Sequence, residues 1–339
     1  AILREQVNLL PPNKKAGTLK SLLAEYPAAY VLHDGLCSED ARLDSGSVDV
    51  VQAEIKSEAW PSFDLSKVLL SADRPLSRVP EIQMERPAAI SFTSGSTGDS
   101  RPNVKSWRVI VDSSANNARH MLAGHDHETL FQLATVPPQH MWGLETSVML
   151  PLFSSICVAD TRPLFPLDIK TALEQLPSPA MLVTTPVHLR ALCAVEMSLS
   201  PLSLILCATS PLTQALAQQA EEKFATELRE IYGCSEIGSM AWRRTASDAP
   251  WRLFHGISVA VSKGNKGNGD KEDNEGEVMA ATEYLPQPIL LQDRWEMLDD
   301  HHFHLQGRHS DMLDIAGKRG SLLAINKVLL SYSGLVDGI

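Results

Sequence analysis

Between residues 88 and 235 the chain alternates between short apolar runs and longer segments with helical spacing. The apolar runs have the length of buried strands and span residues 130–136, 155–159, 181–185 and 202–207. Helical spacing lies between them at 169–176 and 213–228. Earlier in the chain, we predict a helix from Thr18 to Glu25 and a strand at 28–32. Such alternation is typical of a sheet flanked by helices, so the sequence predicts an α/β fold.

Composition excludes several classes of protein. The 339 residues are 44% hydrophobic and 21% charged, as in an ordinary globular protein, and the formal net charge is −11. This charge argues against a nucleic-acid partner. No apolar run is long enough for a membrane span, and the N-terminus does not have the layout of a signal peptide. Five widely spaced cysteines, an odd number, fit a reducing compartment, so we expect a cytoplasmic protein.

A loop rich in hydroxyls and glycines follows the apolar residues 88–91. Its glycines, Gly95 and Gly98, tolerate positive φ and let backbone N–H groups converge on an anion. Its hydroxyls are able to donate further hydrogen bonds, and they belong to Thr93, Ser94, Ser96 and Thr97. A solvated Ser/Gly turn is the alternative. The loop is not a P-loop NTPase motif, because Val104 stands where a glycine should precede Lys105.

The loop resembles the phosphate loop of the adenylate-forming superfamily, which contains acyl-CoA ligases, acyl-carrier ligases and amino-acid-adenylating domains. In that family Ser/Thr-Ser-Gly-Ser/Thr-Thr-Gly is followed closely by a lysine. The resemblance implies that Thr93, Ser94, Ser96, Thr97 and Lys105 contact the β- and γ-phosphates of ATP.

A second motif places Tyr232, Gly233, Ser235 and Glu236 within five residues. Tyr232 is able to stack on a base, Ser235 to donate to a phosphate oxygen, and Glu236 to hold a magnesium ion. An exposed strand end fits the same residues. The segment resembles the Tyr-Gly-x-Thr/Ser-Glu motif of the superfamily, which implies contact with adenine by Tyr232, with the α-phosphate by Ser235 and with Mg²⁺ by Glu236.

Three further residues extend the resemblance toward the C-terminus. Asp293 precedes Gly307-Arg308 by 307 − 293 = 14 residues, the separation between the ribose-binding Asp of the superfamily and its Gly-Arg pair. A lone Asp at this position would otherwise be a surface charge. The resemblance implies that Asp293 and Arg308 contact ribose and that Arg319 reaches the phosphates. Ser310 and Asp314 depart from the family's usual hinge residues.

The substrate pocket is predicted from two segments. The aromatic-rich turn that contains His140 and Trp142 resembles the family's acid-pocket segment, although His140 fits a structural histidine equally well. Ala208 and Thr209 align with glycines that line the adenine side. His301, His302 and His304 lie close together, but strand alternation puts His302 and His304 on one face and His301 on the other, and we do not interpret them as a metal site.

The resemblance covers roughly residues 85–330 and is closest to a bacterial branch linked to aryl-polyene or xanthomonadin-type clusters. It implies a large adenylate-forming domain at 1–306, with a β-rich portion at about 250–306, and a hinge at 307–339. The small C-terminal domain, which contains the family's adenylation lysine, is expected to be largely absent from this chain.

The implied activity is ligation of a carboxylic acid to a thiol with formation of AMP. Lys105, Glu236 and Arg319 would be the catalytic residues, and ATP and Mg²⁺ would be required. The acid would be fatty or aromatic, and the thiol would belong to coenzyme A or to the phosphopantetheine of an acyl carrier protein. The negative charge disfavours an acidic carrier unless Arg243 and Arg244 form a basic patch. A non-catalytic module that binds nucleotide or acyl-adenylate is the alternative.

Overall fold

The computed structural model describes residues 7–11, 16–29, 31–33, 62–64, 81–93, 101–125, 129–197, 199–261, 277–308, 312–315 and 318–321. Two compact units divide the chain, Ala1–Trp107 and Arg108–Ile339. Each unit is described by itself below.

The first unit contains a hairpin that carries the beginning of the predicted phosphate loop. Its elements are β1 (Asn8–Leu10), α1 (Ala16–Glu25), β2 (Val31–His33), β3 (Ser62–Asp64), β4 (Pro87–Thr93) and β5 (Arg101–Ser106). Strand β4 pairs in parallel with β1 and antiparallel with β5. The predicted first helix is confirmed. The strand predicted at 28–32 begins only at Val31, because the chain turns first and the N–H of Ala29 donates to the carbonyl of Tyr26 at 2.9 Å.

The second unit is built around a large sheet. Its helices are α2 (Trp107–Met121, whose first residue closes the first unit), α3 (Met141–Leu144), α4 (Pro166–Gln175), α5 (Pro186–Ala194) and α6 (Gln214–Phe224). A π-helical turn (Glu145–Met149) and a 3₁₀ turn (Leu150–Leu152) continue α3, and a second 3₁₀ turn spans Thr245–Ser247. The strands of its large sheet are β6 (Leu130–Ala134), β7 (Ile156–Val158), β8 (Ala180–Thr184), β9 (Leu204–Cys207), β10 (Leu228–Cys234), β11 (Gly238–Arg243), β12 (Trp251–Leu253), β16 (Asp293–Met297) and β17 (His302–Arg308).

These nine described strands lie in the order β16-β17-β12-β11-β10-β9-β8-β6-β7. The five strands from β10 to β7 are parallel, and the five from β10 to β16 are antiparallel. Strand β10 therefore belongs to both halves, and the sheet changes from parallel to antiparallel pairing at that strand.

Two hydrophobic cores cover the two faces of the parallel half. Alternate residues of one strand point to opposite faces, so Leu182 packs in the core with α4, α5 and α6, whereas Met181 and Val183 pack in the core with α2. These side chains are fully buried. Burial on both faces explains why the sequence shows continuous apolar runs here instead of alternation.

Smaller sheets follow the large one in the chain. Strands β13 (Ile257–Val261), β14 (Val278–Thr282) and β15 (Ile289–Leu291) form an antiparallel meander, which confirms the predicted hairpin. The predicted tip of that hairpin, residues 262–276, lies outside the described residues. Strands β18 (Met312–Ile315) and β19 (Lys318–Ser321) form a further antiparallel pair.

The helix predicted at 213–228 is shorter than expected. It ends at Phe224, since Ala225 adopts a left-handed conformation (φ +48°) and its N–H caps the last turn. Leu228 already begins β10. Across the described ranges, no helix is both long and apolar enough to cross a bilayer.

Candidate active site at the carboxyl edge of the sheet

Predicted pocket and nucleotide residues follow the carboxyl ends of parallel strands. Ala208 and Thr209 follow β9, and Ser235 and Glu236 follow β10. The carboxyl ends of parallel strands share one edge of a sheet, which is the usual ligand-binding edge of α/β proteins. The strand arrangement therefore brings these two pairs of residues, 235 − 208 = 27 positions apart, to the same side of the second unit.

Tyr232, which was predicted to contact adenine, and Asp293, which was predicted to contact ribose, contact each other directly. The hydroxyl of Tyr232 donates a 2.6 Å hydrogen bond to Oδ2 of Asp293. This is a short, charge-assisted bond. It holds the Asp293 carboxylate in one orientation, although 61 residues separate the two side chains.

The ring of Tyr232 is held edge-on by three aromatic rings. Its centroid lies 5.5 Å from that of Trp295, 5.7 Å from Trp251 and 6.2 Å from Phe303. Burial and the negative charge of Asp293 raise the pKa of the Tyr232 phenol far above its ordinary value. The phenol is therefore a hydrogen-bond donor at any physiological pH.

Asp293 and Arg308 are neighbours on paired strands. Asp293 is in register with Arg308, and Arg294 with Gly307, in the antiparallel β16–β17 ladder. The 14-residue separation is thus the length of a hairpin. A register shift follows Arg294, and Gly307 has a positive φ of +101°. The side chains of Arg308 and Arg319 lie outside the described part of the structure, which gives only their strands.

The turn between β10 and β11 carries Ser235 and Glu236. Glu236 is exposed, whereas Ser235 is half-buried. Between them and Tyr232, Cys234 is a free thiol whose pKa is raised to about 12 by burial. The Cys234 thiol therefore stays protonated near neutral pH and does not act as a nucleophile.

Thr209 adopts a conformation that normally requires glycine. Its φ is +92°, and Ala208 before it is buried. A β-branched residue at positive φ is a strained exception. Thr209 thus adopts a backbone conformation that a glycine would adopt without strain.

The segment with His140 and Trp142 is fixed at its glycine. A Cβ on Gly143 would overlap the carbonyl oxygen of Pro137. Trp142 is buried and its Nε1 donates to the carbonyl oxygen of Thr184 at 3.4 Å, whereas His140 is exposed and makes no capping hydrogen bond. Of these two predicted pocket residues, Trp142 is therefore buried and His140 is exposed to solvent.

Two polar groups near this segment were not predicted from the sequence. The first is a cluster in which the Thr135 hydroxyl lies 3.0 Å from the Thr184 hydroxyl and 2.9 Å from Nδ1 of His188. Burial lowers the pKa of His188, so its ring is neutral at neutral pH. The Thr-Thr-Pro start of α5 is the sequence signal, since Thr185 caps that helix.

The second group that sequence reasoning missed is Glu145. Its side chain is buried, and it accepts hydrogen bonds from the backbone N–H of Ser239 at 3.0 Å and from the Ser239 hydroxyl at 2.7 Å. A lone carboxylate within the apolar run 141–153 was the available signal. Its partner, 94 residues away, was not deducible from that signal.

The remaining predicted phosphate contacts belong to the first unit. Lys105 lies on β5 opposite Ala89 and is only 3% exposed. Thr93 is the last residue of β4, and residues 94–98, which include Ser94, Gly95, Ser96, Thr97 and Gly98, lie outside the described residues.

Arg243 and Arg244 do not form the basic patch considered from the sequence. Nε of Arg243 is 2.7 Å from Oε2 of Glu230, and NH2 of Arg244 is 2.7 Å from Oε2 of Glu221. Both guanidinium groups are therefore neutralised by carboxylates of the same unit.

Comparisons with known proteins agree with this architecture. Among curated relatives, a 4-coumarate–CoA ligase of Rhodobacter capsulatus is 24% identical over 295 residues, covering 86% of this chain and 67% of the relative. A 4-coumarate–CoA ligase of Halorhodospira halophila is 27% identical over 231 residues, covering 66% of this chain and 52% of the relative. The chain thus spans between half and two thirds of the length of these relatives.

Solved structures share the fold at lower identity. The o-succinylbenzoate coenzyme A synthetase of Bacillus subtilis, in complex with ATP and a magnesium ion, matches with a TM-score of 0.73 at 16% identity, covering 98% of this chain and 70% of that one. ATP-bound MatB from Rhodopseudomonas palustris matches with a TM-score of 0.71 at 15% identity, covering 95% and 67%. The model of the AMP-binding enzyme family matches residues 7–285. The chain therefore belongs to the AMP-binding enzyme family.

Proposed function

We propose that this protein activates a carboxylic acid with ATP and passes the acyl group to a thiol. In the first step a carboxylate oxygen of the acid attacks the α-phosphorus of ATP, giving an acyl-adenylate and pyrophosphate. In the second step the thiol sulfur attacks the acyl carbon and AMP leaves. The observation that carries the proposal is the Tyr232–Asp293 hydrogen bond beside the Ser235-Glu236 turn, at the carboxyl edge of the sheet.

The nucleoside end would be held by Asp293. A carboxylate is able to accept hydrogen bonds from both hydroxyls of a ribose, and the Tyr232 hydroxyl fixes the orientation of this carboxylate. Arg308 is its register partner on β17 and would contact the same sugar. Tyr232 would contact adenine, with Gly233, Ala208 and Thr209 close to the base.

The phosphates would be held by hydroxyl and cationic side chains. Ser235 would donate to the α-phosphate, and Thr93, Ser94, Ser96, Thr97 and Lys105 would contact the β- and γ-phosphates, with Arg319 contributing charge. The attacking carboxylate is already a nucleophile, so these residues would orient the reactants and neutralise charge instead of abstracting a proton.

A magnesium ion fits the donors at the β10–β11 turn. Mg²⁺ usually binds through one or two carboxylates together with substrate phosphates, and Glu236 offers an exposed carboxylate there. Within the described ranges, no cluster of three or more His, Cys, Asp or Glu side chains forms a metal cage. When bound, the ion would neutralise phosphate charge; Glu236 would hold it.

The acid would be a small aromatic or fatty acid bordered by His140 and Trp142. Relatives named for coumarate, and solved structures named for anthranilate and succinylbenzoate, support an aromatic acid. Those names also support coenzyme A as the thiol. Neutralisation of Arg243 and Arg244 removes the feature that favoured docking of an acidic carrier protein.

Exchange of labelled pyrophosphate into ATP tests the proposal, with a panel of aromatic and fatty acids. We expect exchange with at least one acid, and exchange about 100-fold slower in Glu236→Ala, because loss of a metal-held contact is worth a few kcal/mol. Glu222→Ala, which removes an exposed carboxylate on α6, should exchange at the wild-type rate.

Two outcomes would contradict the proposal. If Glu236→Ala exchanged pyrophosphate at the wild-type rate, the proposed role of Glu236 would be refuted. Nucleotide binding without exchange for any acid would instead favour a non-catalytic module that binds nucleotide or acyl-adenylate.

A further inference from the structure

The turn that bears Ser235 and Glu236 depends on close backbone contact between its two strands. Gly233 on β10 is in register with Ser239 on β11, and the register shifts just before it. A Cβ on Gly233 would overlap the carbonyl oxygen of Gly238. Any displacement of Gly238 or Ser239 would therefore move the turn between them and Gly233.

Glu145 binds the β11 side of this turn through hydrogen bonds. Its two carboxylate oxygens accept separately, Oε1 from the Ser239 N–H and Oε2 from the Ser239 hydroxyl. Gly238 permits this approach, because a Cβ there would overlap Oε1 of Glu145. Gly238 also has a φ of +93°, which disfavours any other residue. The glycine and the carboxylate are thus fitted to each other.

The Glu145 carboxylate projects from a closely packed segment. It begins the π-helical turn that follows α3, and π turns are frequent at functional sites. Gly143, against the carbonyl of Pro137, and the buried Trp142 lie on the preceding α3. Glu145 is only 7% exposed, and burial, followed by its negative charge, raises the pKa of the Tyr284 phenol.

We propose that Glu145 is a positioning residue that sets the Ser235-Glu236 turn for the metal-bound phosphates and couples this turn to the His140–Trp142 wall of the acid pocket. The inference rests on the proposed function for the role of Glu236. It assigns the coupling to one buried carboxylate, which accepts two hydrogen bonds from Ser239. The acid, bound against the wall, and the nucleotide, bound at the turn, would then both depend on the position of the Glu145 side chain.

Nucleotide binding with and without Mg²⁺ tests this role. We would titrate wild-type protein and Glu145→Gln with a fluorescent ATP analogue, first in excess Mg²⁺ and then in EDTA. In Glu145→Gln, the increase in affinity that Mg²⁺ causes should be about tenfold smaller than in wild type, because the variant loses hydrogen bonds to a charged group. Its affinity in EDTA should stay at the wild-type value. If the folded variant lost affinity equally with Mg²⁺ and in EDTA, the effect would be a general one, and the proposal would be overturned.

The matched control is Glu221→Gln. Glu221 is also a largely buried carboxylate, and it holds the opposite end of β10 by accepting from the N–H of Leu228 at 2.9 Å. This variant should keep the full Mg²⁺-dependent gain. If Glu145→Gln does not fold, Ser239→Ala removes one of the two hydrogen bonds and should lose about threefold of the gain.

Amide hydrogen exchange gives a readout that needs no nucleotide. Peptides covering residues 234–240 should exchange faster in Glu145→Gln than in wild type, whereas those covering 228–231 should not. Unchanged exchange at 234–240, or an unchanged gain from Mg²⁺, would overturn the proposal for Glu145. Failure of the wild-type protein to bind the ATP analogue would overturn the proposed function and, with it, the metal role, while the exchange result would still report the mechanical link.

Discussion

Two buried carboxylates, one on strand β10 and one beyond its end, have different surroundings. Glu230, on the strand, accepts from Nε of Arg243 at 2.7 Å, from the Thr245 hydroxyl at 2.6 Å and from the Leu212 N–H at 3.1 Å. Glu145, beyond the end of the strand, accepts from the N–H and the hydroxyl of Ser239 on β11. Glu230 thus pairs with a cation and two neutral donors, whereas the donors from Ser239 to Glu145 are both neutral.

The difference separates stability from positioning. A buried ion pair with several donors is costly to break, because the partner charge remains buried. A carboxylate that accepts from the backbone and hydroxyl of Ser239 instead fixes the start of β11, and with it the adjoining turn. The comparison therefore predicts that variants at Glu230 act mainly on unfolding, whereas variants around the turn act mainly on ligand binding.

The largest effect is expected for Glu230→Ala. The substitution leaves the Arg243 guanidinium, 20% exposed, without its counter-ion and removes the acceptor of two further donors. The free energy of unfolding should fall by about 3–5 kcal/mol. Urea denaturation followed by circular dichroism measures this change. A loss below about 1 kcal/mol would show that the Arg243 pair is not a stability element.

A smaller effect on stability is expected for Tyr232→Phe. It removes only the hydroxyl that donates to Asp293, so the free energy of unfolding should fall by about 1–2 kcal/mol. Affinity for ATP should nevertheless fall more than in a Glu230→Gln variant of comparable stability, because the orientation of Asp293 is lost. Isothermal titration calorimetry on both variants checks this. Equal ATP affinities in the two variants would contradict the division between stability and positioning.

The smallest effect concerns pH and a residue outside both carboxylate sites. Burial, followed by the charges of Arg119, Arg252 and His255, lowers the pKa of His120 to about 4. The unfolded chain therefore binds a proton between pH 6.5 and 4 that the folded protein does not bind. The associated stability is complete above pH 6.5 and is lost as the pH falls toward 4.

His120→Gln tests this sign. Wild-type protein should lose about 1 kcal/mol more than the variant between pH 7 and pH 5, a value reduced for the half-buried ring. Glutamine keeps an acceptor for the N–H of His255, which donates to Nε2 of His120 at 2.8 Å. Identical urea midpoint shifts in the two proteins would mean that His120 does not contribute to acid sensitivity.

The parallel half of the sheet was predictable because burial on both faces makes each strand a continuous apolar run. The end of α6 was not, because the pattern of apolar residues continues past Phe224 and only the left-handed Ala225 stops the helix. Local periodicity indicates the type of an element, whereas its end depends on one backbone conformation.

The candidate site divides in the same way. Tyr232, Glu236 and Asp293 were predicted from resemblance to motifs, and the structure brings Tyr232 and Asp293 into contact. Glu145 was overlooked, although Gly238, which it contacts, lies only two residues after Glu236. No local pattern relates residues that are 94 positions apart.

The sequence by itself determined the class of fold and the chemistry of the motifs, since apolar runs, glycines and carboxylates have local consequences. The tertiary structure decided which donors surround each of the buried carboxylates Glu230 and Glu145. That decision depends on donors supplied by distant segments, and the electrostatic environment of a carboxylate is set by those donors.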